Sequence, residues 1–322
     1  LKKYLYYVIK AHAPRWADDD AHGSTMRHIK KESLSNKVWI PDLETQKAIT
    51  DFLDRETTRI DQLIEKKQRL VRLVPEKEKR EISQLVMRGK NTSTSLRDTG
   101  IFWRGEVPTH WTESRMKTHF RISKRQGFDE LTVLSVYREY GVIIKSSRND
   151  NINSTPEDLS KYQLVESGDL VINKMKSWQG SLGISSYEGI TSPDYVVLTP
   201  CSEHSSRYMN HLLRAAPMPT VYHLISNGIR TDQWRMEPSL FLSLPIFMPP
   251  MEEQIKIAEK VDEELERLRN IADTVNASID RLREYHSALI TVAVTGQMDV
   301  ATYGKQGKTD RRLDEIEEAM QA

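Results

Sequence analysis

Near the middle of the chain the stretch NKMKSWQG sets Lys174, Lys176, Ser177, Trp178 and Gln179 side by side, ending at the permissive Gly180. Two cations, a hydroxyl, an amide and an aromatic ring are the groups needed to neutralise phosphates and hydrogen-bond base edges. A solvated hairpin with Trp178 folded back onto a core would have the same composition. A second stretch, NGIRTDQWR, offers Asn227, Arg230, Thr231, Gln233 and Arg235, again cations and amides around a glycine. Its alternative is a polar turn. RISKRQG adds Arg121, Lys124, Arg125 and Gln126, and KSSRNDN adds Lys145, Arg148 and Asn149. These two suit phosphate contacts or a plain solvated face.

Catalytic chemistry finds less support. The chain has no Walker A loop and no glycine-rich dinucleotide turn. SPDY, from Ser192 to Tyr195, is only partly similar to the S-P-P-Y motif that holds a target amine in amino-methyltransferases. It lacks the second proline, and no glycine-rich cofactor motif precedes it. The nine histidines form no close pair, which argues against a metal site, and a single cysteine, Cys201, excludes a disulfide framework or cysteine-based zinc site. His119 and His211 read as packing or surface residues.

Such side chains need a scaffold. The 322 residues suffice for two domains, and 47 Lys+Arg against 46 Asp+Glu leave a net charge of +1. Any anion-binding surface must therefore come from local clustering. At 29% charged and 38% hydrophobic the chain suits long solvent-exposed helices. No apolar run approaches the roughly 18 residues of a membrane span, and no signal-peptide pattern opens the sequence. The expected location is the cytoplasm, with no membrane partner. A first residue Leu1, in mid-pattern, suggests a fragment.

The sequence carries one helical device twice. At a constant offset of 208, Pro41, Glu44, Gln46, Ile49, Asp54, Glu56, Arg59, Glu76, Ile82 and Val86 recur as Pro249, Glu252, Gln254, Ile257, Asp262, Glu264, Arg267, Glu284, Ile290 and Val294. Any two amphipathic helices share a period, but periodicity does not require the shared P-x-x-E-x-Q opening. In the second copy Ile257, Val261, Glu264, Leu268, Ile271, Val275, Leu282, Tyr285 and Leu289 follow the 3–4 alternation of a coiled-coil seam. Gly89 and Gly296 are the expected stops. Two such helices would pair antiparallel, with Val292 and Ala293 on an outward face. Pro75 should kink or break the first.

Between the copies, LTVLSVY, GVIIKSS, GDLVINK and DYVVLTP read as strands, and SSRYMNHLLRAA and TVYHLISN as short helices. KKYLYYVIKA near the start parallels SRYMNHLLRA. The predicted fold class is therefore α+β, with globular domain sequence joined by long helices in an antiparallel coiled coil. The expected divisions are a domain remnant at 1–40, a long helix at 41–99, a globular domain at 100–246, a second long helix at 247–299 and a tail at 300–322.

This order resembles the specificity subunit of type I restriction-modification systems. MPPMEEQ…TVAVTGQMD and IPDLETQ…QLVMRGK are similar to its conserved helical regions. GIFWRGEVPTHW, with Gly100, Trp103, Gly105, Pro108 and Trp111, resembles the opening of its target-recognition domain, and SGDLVINKMKSWQGSLGIS the middle. Asp42 departs from the pattern by standing where the family has its second proline. The resemblance implies a non-catalytic chain that reads part of a bipartite target in double-stranded DNA, paired helices setting the distance between halves. It also implies docking of methyltransferase (M) subunits and a restriction (R) subunit. Cofactors would belong to those partners, S-adenosylmethionine for methylation and ATP with Mg for restriction, with none in this chain. A form with one intact recognition domain could also pair with itself. The contrasting readings are a coiled-coil scaffold without a DNA role and an autonomous DNA adenine methyltransferase, the latter lacking cofactor motifs. The DNA-binding candidates are Lys124, Arg125, Lys145, Arg148, Lys174, Lys176, Ser177, Trp178, Gln179, Arg230, Thr231, Gln233 and Arg235.

Overall fold

Helix α1 (Lys2–Asp20) is followed by the first long helix, α2 (Leu43–Arg88). These and all later elements come from a computed structural model that describes residues 2–20, 35, 37–89, 94–148, 155–228 and 234–300. The second long helix, α7 (Met251–Val294), closes the described chain. Chain contacts divide into two compact units. One runs to Val74 and resumes from Asn270; the other is Pro75–Arg269.

Both long helices start by the same device. Gln46 Nε2 donates to the Pro41 carbonyl at 2.8 Å, and Gln254 Nε2 to the Pro249 carbonyl at 2.9 Å. Each glutamine is only 5% exposed, so the repeated P-x-x-E-x-Q fixes how the chain turns into its helix. Asp42, the departure from the family pattern, has its own use as an N-cap. Its Oδ1 accepts from Thr45 N at 2.9 Å and its Oδ2 from Thr45 Oγ1 at 2.8 Å. Those hydrogen bonds hold its carboxyl below the usual aspartate range. Both helices stop at a glycine in the left-handed region, Gly89 with φ 77° and Gly296 with φ 71°.

In the first unit, Ile49, Phe52, Leu53, Ile60 and Leu63 of α2 are buried with Leu282, Leu289, Ile290, Ala293 and Val294 of α7. The direction is antiparallel: His286 stands 3.7 Å from Asp61, while Trp39 and Val294 share one tyrosine hydroxyl. In the second unit, Val86 and Met87 join Ile257, Ala258 and Val261 in one core. Ala293 is thus a core residue with no exposed surface, not part of an outward face. The helix also runs through Pro75 unbroken. Proline withholds one backbone N–H and crowds the preceding turn, yet Val74 beside it is buried and the apolar stripe continues to Val86.

The second unit carries every described strand. β1 (Leu96–Asp98) pairs with β2 (Glu106–Pro108). β3 (Thr112–Arg115) leads through the short α3 (Met116–His119) into β4 (Phe120–Ser123). β5 (Leu134–Tyr137) and β6 (Gly141–Ile144) form a hairpin. β7 (Gln163–Val165) pairs with β10 (Gly189–Thr191). The central antiparallel sheet adds β8 (Leu170–Asn173), β9 (Leu182–Ile184) and β11 (Tyr195–Pro200) to β4, in the order β4–β11–β8–β9. One face, with Leu170, Ile172, Leu182, Val196 and Leu198, packs with α4 (Ser206–Arg214) and α5 (Met218–Leu224), and the other, with Val171 and Val197, packs with Leu134, Val136 and Val142 of the β5–β6 hairpin. β12 (Ser226–Asn227) pairs with β13 (Arg235–Met236), and α6 (Pro238–Ser243) precedes β14 (Pro245–Met248). β14 pairs with β3, tying the two ends of the globular body together.

Each unit, taken by itself, contains the same kind of joint. Tyr208 on α4 donates its hydroxyl to the Val86 carbonyl at 3.1 Å, and Tyr4 on α1 donates to the Val294 carbonyl at 3.2 Å. His211 Nε2 meets Asp262 Oδ1 at 2.9 Å, while Tyr7 donates to Asp54 Oδ1 at 2.8 Å. Arg207 and Lys3 hold the other oxygen of the same two aspartates. The acceptors are related by the sequence offset of 208 and the donors by 204. α1 therefore meets its long helices as α4 meets them.

Candidate nucleic-acid interface

The NKMKSWQG stretch is the connection between β8 and β9. Asn173 Oδ1 accepts from Met175 N at 3.1 Å, which bends the chain out of β8. A single 3-10 turn, Ser177–Gln179, follows, and Gly180 with φ 90° returns the chain to β9. Ser181 N closes the loop on the Lys176 carbonyl at 3.1 Å. The connection is a built turn rather than a loose hairpin.

An aromatic cluster braces it. The Trp178 ring lies 6.0 Å from Trp234 and 6.3 Å from His223, and His223 lies 4.3 Å from Trp234, all edge-on. Trp178 Nε1 donates to the Met175 carbonyl at 3.0 Å and Trp234 Nε1 to the Gly228 carbonyl at 3.1 Å. Backbone joins the segments too, since Met236 N donates to the Lys174 carbonyl at 2.9 Å. Two stretches more than fifty residues apart in sequence are thus one surface. Lys176 and Arg235 are exposed there, and Lys174, Trp178 and Gln179 are half-buried.

Other candidates fall elsewhere. Ser177 is fully buried and donates its hydroxyl to the Lys174 carbonyl at 3.3 Å, so its hydroxyl is used within the turn. Arg125, just after β4, is engaged by Glu166 and the buried Asp169. Two carboxylates already engage it, so its charge braces the fold. Lys124 beside it is exposed. Lys145 opens a 3-10 turn after β6, and the Arg148 guanidinium lies 4.7 Å from the Tyr140 ring centre and 5.4 Å from that of Tyr137. Arg230, Thr231 and Gln233 lie outside the described residues. The sequence does not single out His223 or Trp234 as members of this cluster; the signal for Trp234 is an indole flanked by Gln233 and Arg235.

No family model and no curated protein sequence matches the chain. Among solved structures, the HsdS subunit from Thermoanaerobacter tengcongensis is similar at a TM-score of 0.55 and 12% identity, covering 92% of this chain and 70% of that one. The chain has the fold of a type I restriction-modification S subunit. A second structure, described as the structural basis of complex assembly and conformational transition of the type I R-M system, matches at a TM-score of 0.54. It is 15% identical and covers 92% of this chain and 71% of its own. In this S-subunit fold the mixed helix and strand architecture and the two long helices agree with those neighbours. No described helix is long and apolar enough to cross a membrane.

Proposed function

We propose that this chain is the sequence-specific DNA-recognition subunit of a type I restriction-modification complex. Its globular body reads part of a bipartite double-stranded target, and the chain docks methyltransferase and restriction subunits that carry the catalysis and its cofactors. The observation that carries the reading is the juxtaposition of Lys174, Lys176 and Gln179 with Arg235 across the Trp178–His223–Trp234 cluster. A two-stranded ribbon such as the β8–β9 turn fits the B-DNA major groove. Lys176 and Arg235 neutralise phosphates and set register, contacts that bind without reading sequence. Gln179 supplies a paired donor and acceptor for a base edge, the pattern that an amide offers to adenine. The aromatic rings hold the turn so that these groups need not be ordered on binding.

The test is fluorescence anisotropy with a pool of randomised duplexes, the chain being assembled with its methyltransferase partner. Enrichment of one bipartite sequence is expected. Binding equal for all duplexes, or methylation by this chain alone, would overturn the reading.

A further inference from the structure

Arg138, Glu139 and Tyr140 join β5 to β6, and all three are exposed. The body nevertheless commits a half-buried guanidinium to them. Arg214, at the end of α4, donates Nη2 to the Arg138 carbonyl at 2.8 Å and to the Glu139 carbonyl at 2.9 Å. Its Nη1 donates at 2.7 Å to the carbonyl of Leu182, the first residue of β9. One planar fork thus ties the hairpin tip to the strand that leaves the NKMKSWQG turn. Burial lowers the Arg214 pKa, while Tyr222 and Glu139 act against that shift. The Glu139 carboxylate therefore serves Arg214, and Arg138 remains as the exposed cation of the tip.

The backbones also approach closely here. Gly141, with φ 69°, begins β6, and a side chain there would meet Arg214 Nη1 at 3.3 Å. A side chain on Gly183 of β9 would meet the Gly141 Cα at 3.1 Å. Two glycines face each other, so no β-carbon holds the hairpin away from β9. Asn210, one turn before Arg214 on α4, accepts from Ile184 N at 3.1 Å. α4 therefore grips β9 and the hairpin tip together. The Tyr140 ring is held as well, under the Arg148 guanidinium that also covers Tyr137, yet 59% of Tyr140 remains exposed.

We infer that this tip is a second DNA contact of the globular body, an inference that rests on the DNA-recognition reading above. Arg138 neutralises a backbone phosphate and the Tyr140 hydroxyl donates to one. Arg214 is a positioning residue that fixes the tip relative to the β8–β9 turn. Phosphate contacts set register without reading sequence. A clamp in the same frame as the turn thus presents Gln179 to a fixed base pair.

The test is fluorescence anisotropy of the chain assembled with its methyltransferase partner, against labelled randomised duplexes at several salt concentrations. Arg138→Ala should make the log–log salt slope shallower by about 0.9. Tyr140→Phe should weaken binding about tenfold at unchanged slope, since it removes a hydrogen bond to a charged group but no charge. Both residues are exposed, so both variants should keep the parent's Tm. Arg214→Lys keeps the cation and loses the fork. In that background Arg138→Ala should change the slope by less than about half as much, a coupling that a loss of stability alone does not produce. An unchanged slope in Arg138→Ala, unchanged affinity in Tyr140→Phe, or full additivity with Arg214→Lys would overturn the contact. Loss of methyltransferase assembly in Arg138→Ala, seen by size-exclusion chromatography, would overturn it too and assign the tip to a protein surface. Failure of the parent assembly to bind any duplex would sink the DNA-recognition reading itself, an outcome distinct from a parent that binds and variants that match it.

Discussion

Replacing Tyr208 by Phe removes one oxygen and keeps the ring. The last four carbonyls of an α-helix have no helical partner, and in α2 the Val86 carbonyl is one of them. Tyr208 supplies its hydrogen bond at 3.1 Å, where neither residue has exposed surface. Burial pushes the phenol pKa far up, so the hydroxyl stays a donor at any working pH. Without it the carbonyl is buried and loses that partner, at a cost of about 1–3 kcal/mol. Tyr4→Phe makes the matching change at the Val294 carbonyl, 3.2 Å from the hydroxyl. The two sites share no partner, so the losses should add to within about 0.5 kcal/mol. Urea unfolding of the full chain and of both single and double variants measures them. A Tyr208→Phe or Tyr4→Phe chain within about 0.5 kcal/mol of the parent would refute the assignment of these tyrosines as caps. So would strong coupling between them.

Three further outcomes are expected. Lys176→Ala and Arg235→Ala should each make the salt dependence of DNA affinity shallower by about 0.9 in log–log slope, while Gln179→Ala should change sequence preference at nearly constant slope; anisotropy at several salt concentrations decides. Trp234→Ala should weaken binding to all duplexes alike, because it removes a brace and not a base contact, and loss of preference at a single base position would contradict that role. Burial lowers the pKa of both His119 and His204, the nearby His204 charge adding to the effect at His119. The unfolded chain then takes up protons near pH 6.5 that the folded chain refuses, so their contribution is full above that value and declines as pH falls below it. His119→Gln, placed between Ser114 and Ser202, should flatten the decline between pH 7 and 5.5 in chemical unfolding.

Much of this architecture was legible because its signals are local. The 3–4 apolar spacing gave both long helices, and the glycines at 89 and 296 gave their ends. LTVLSVY, GVIIKSS, GDLVINK and DYVVLTP each contain an observed strand. The pairing of β3 with β14 was not legible, since it joins segments more than a hundred residues apart, and a three-residue strand such as β2 is too short to show an alternation. Pro75 was read by its local cost alone, while the helix runs through it between the buried Val74 and, about three turns on, Val86. Site residues were the hardest. Composition could not separate Ser177, turned inward, from Lys176, turned outward, and it gave no sign that Glu166 and Asp169 would claim Arg125.

The repeated joint has a consequence for how such a chain changes over time. Tyr208, His211 and Arg207 meet Val86 and Asp262, as Tyr4, Tyr7 and Lys3 meet Val294 and Asp54. The fitting is small, polar at its rim, and written mostly in one short helix. A globular body need carry only that helix to be seated, and the rest of its sequence is free of the constraint. Recombination at the joint could therefore exchange whole bodies as interchangeable parts, leaving the long helices unaltered.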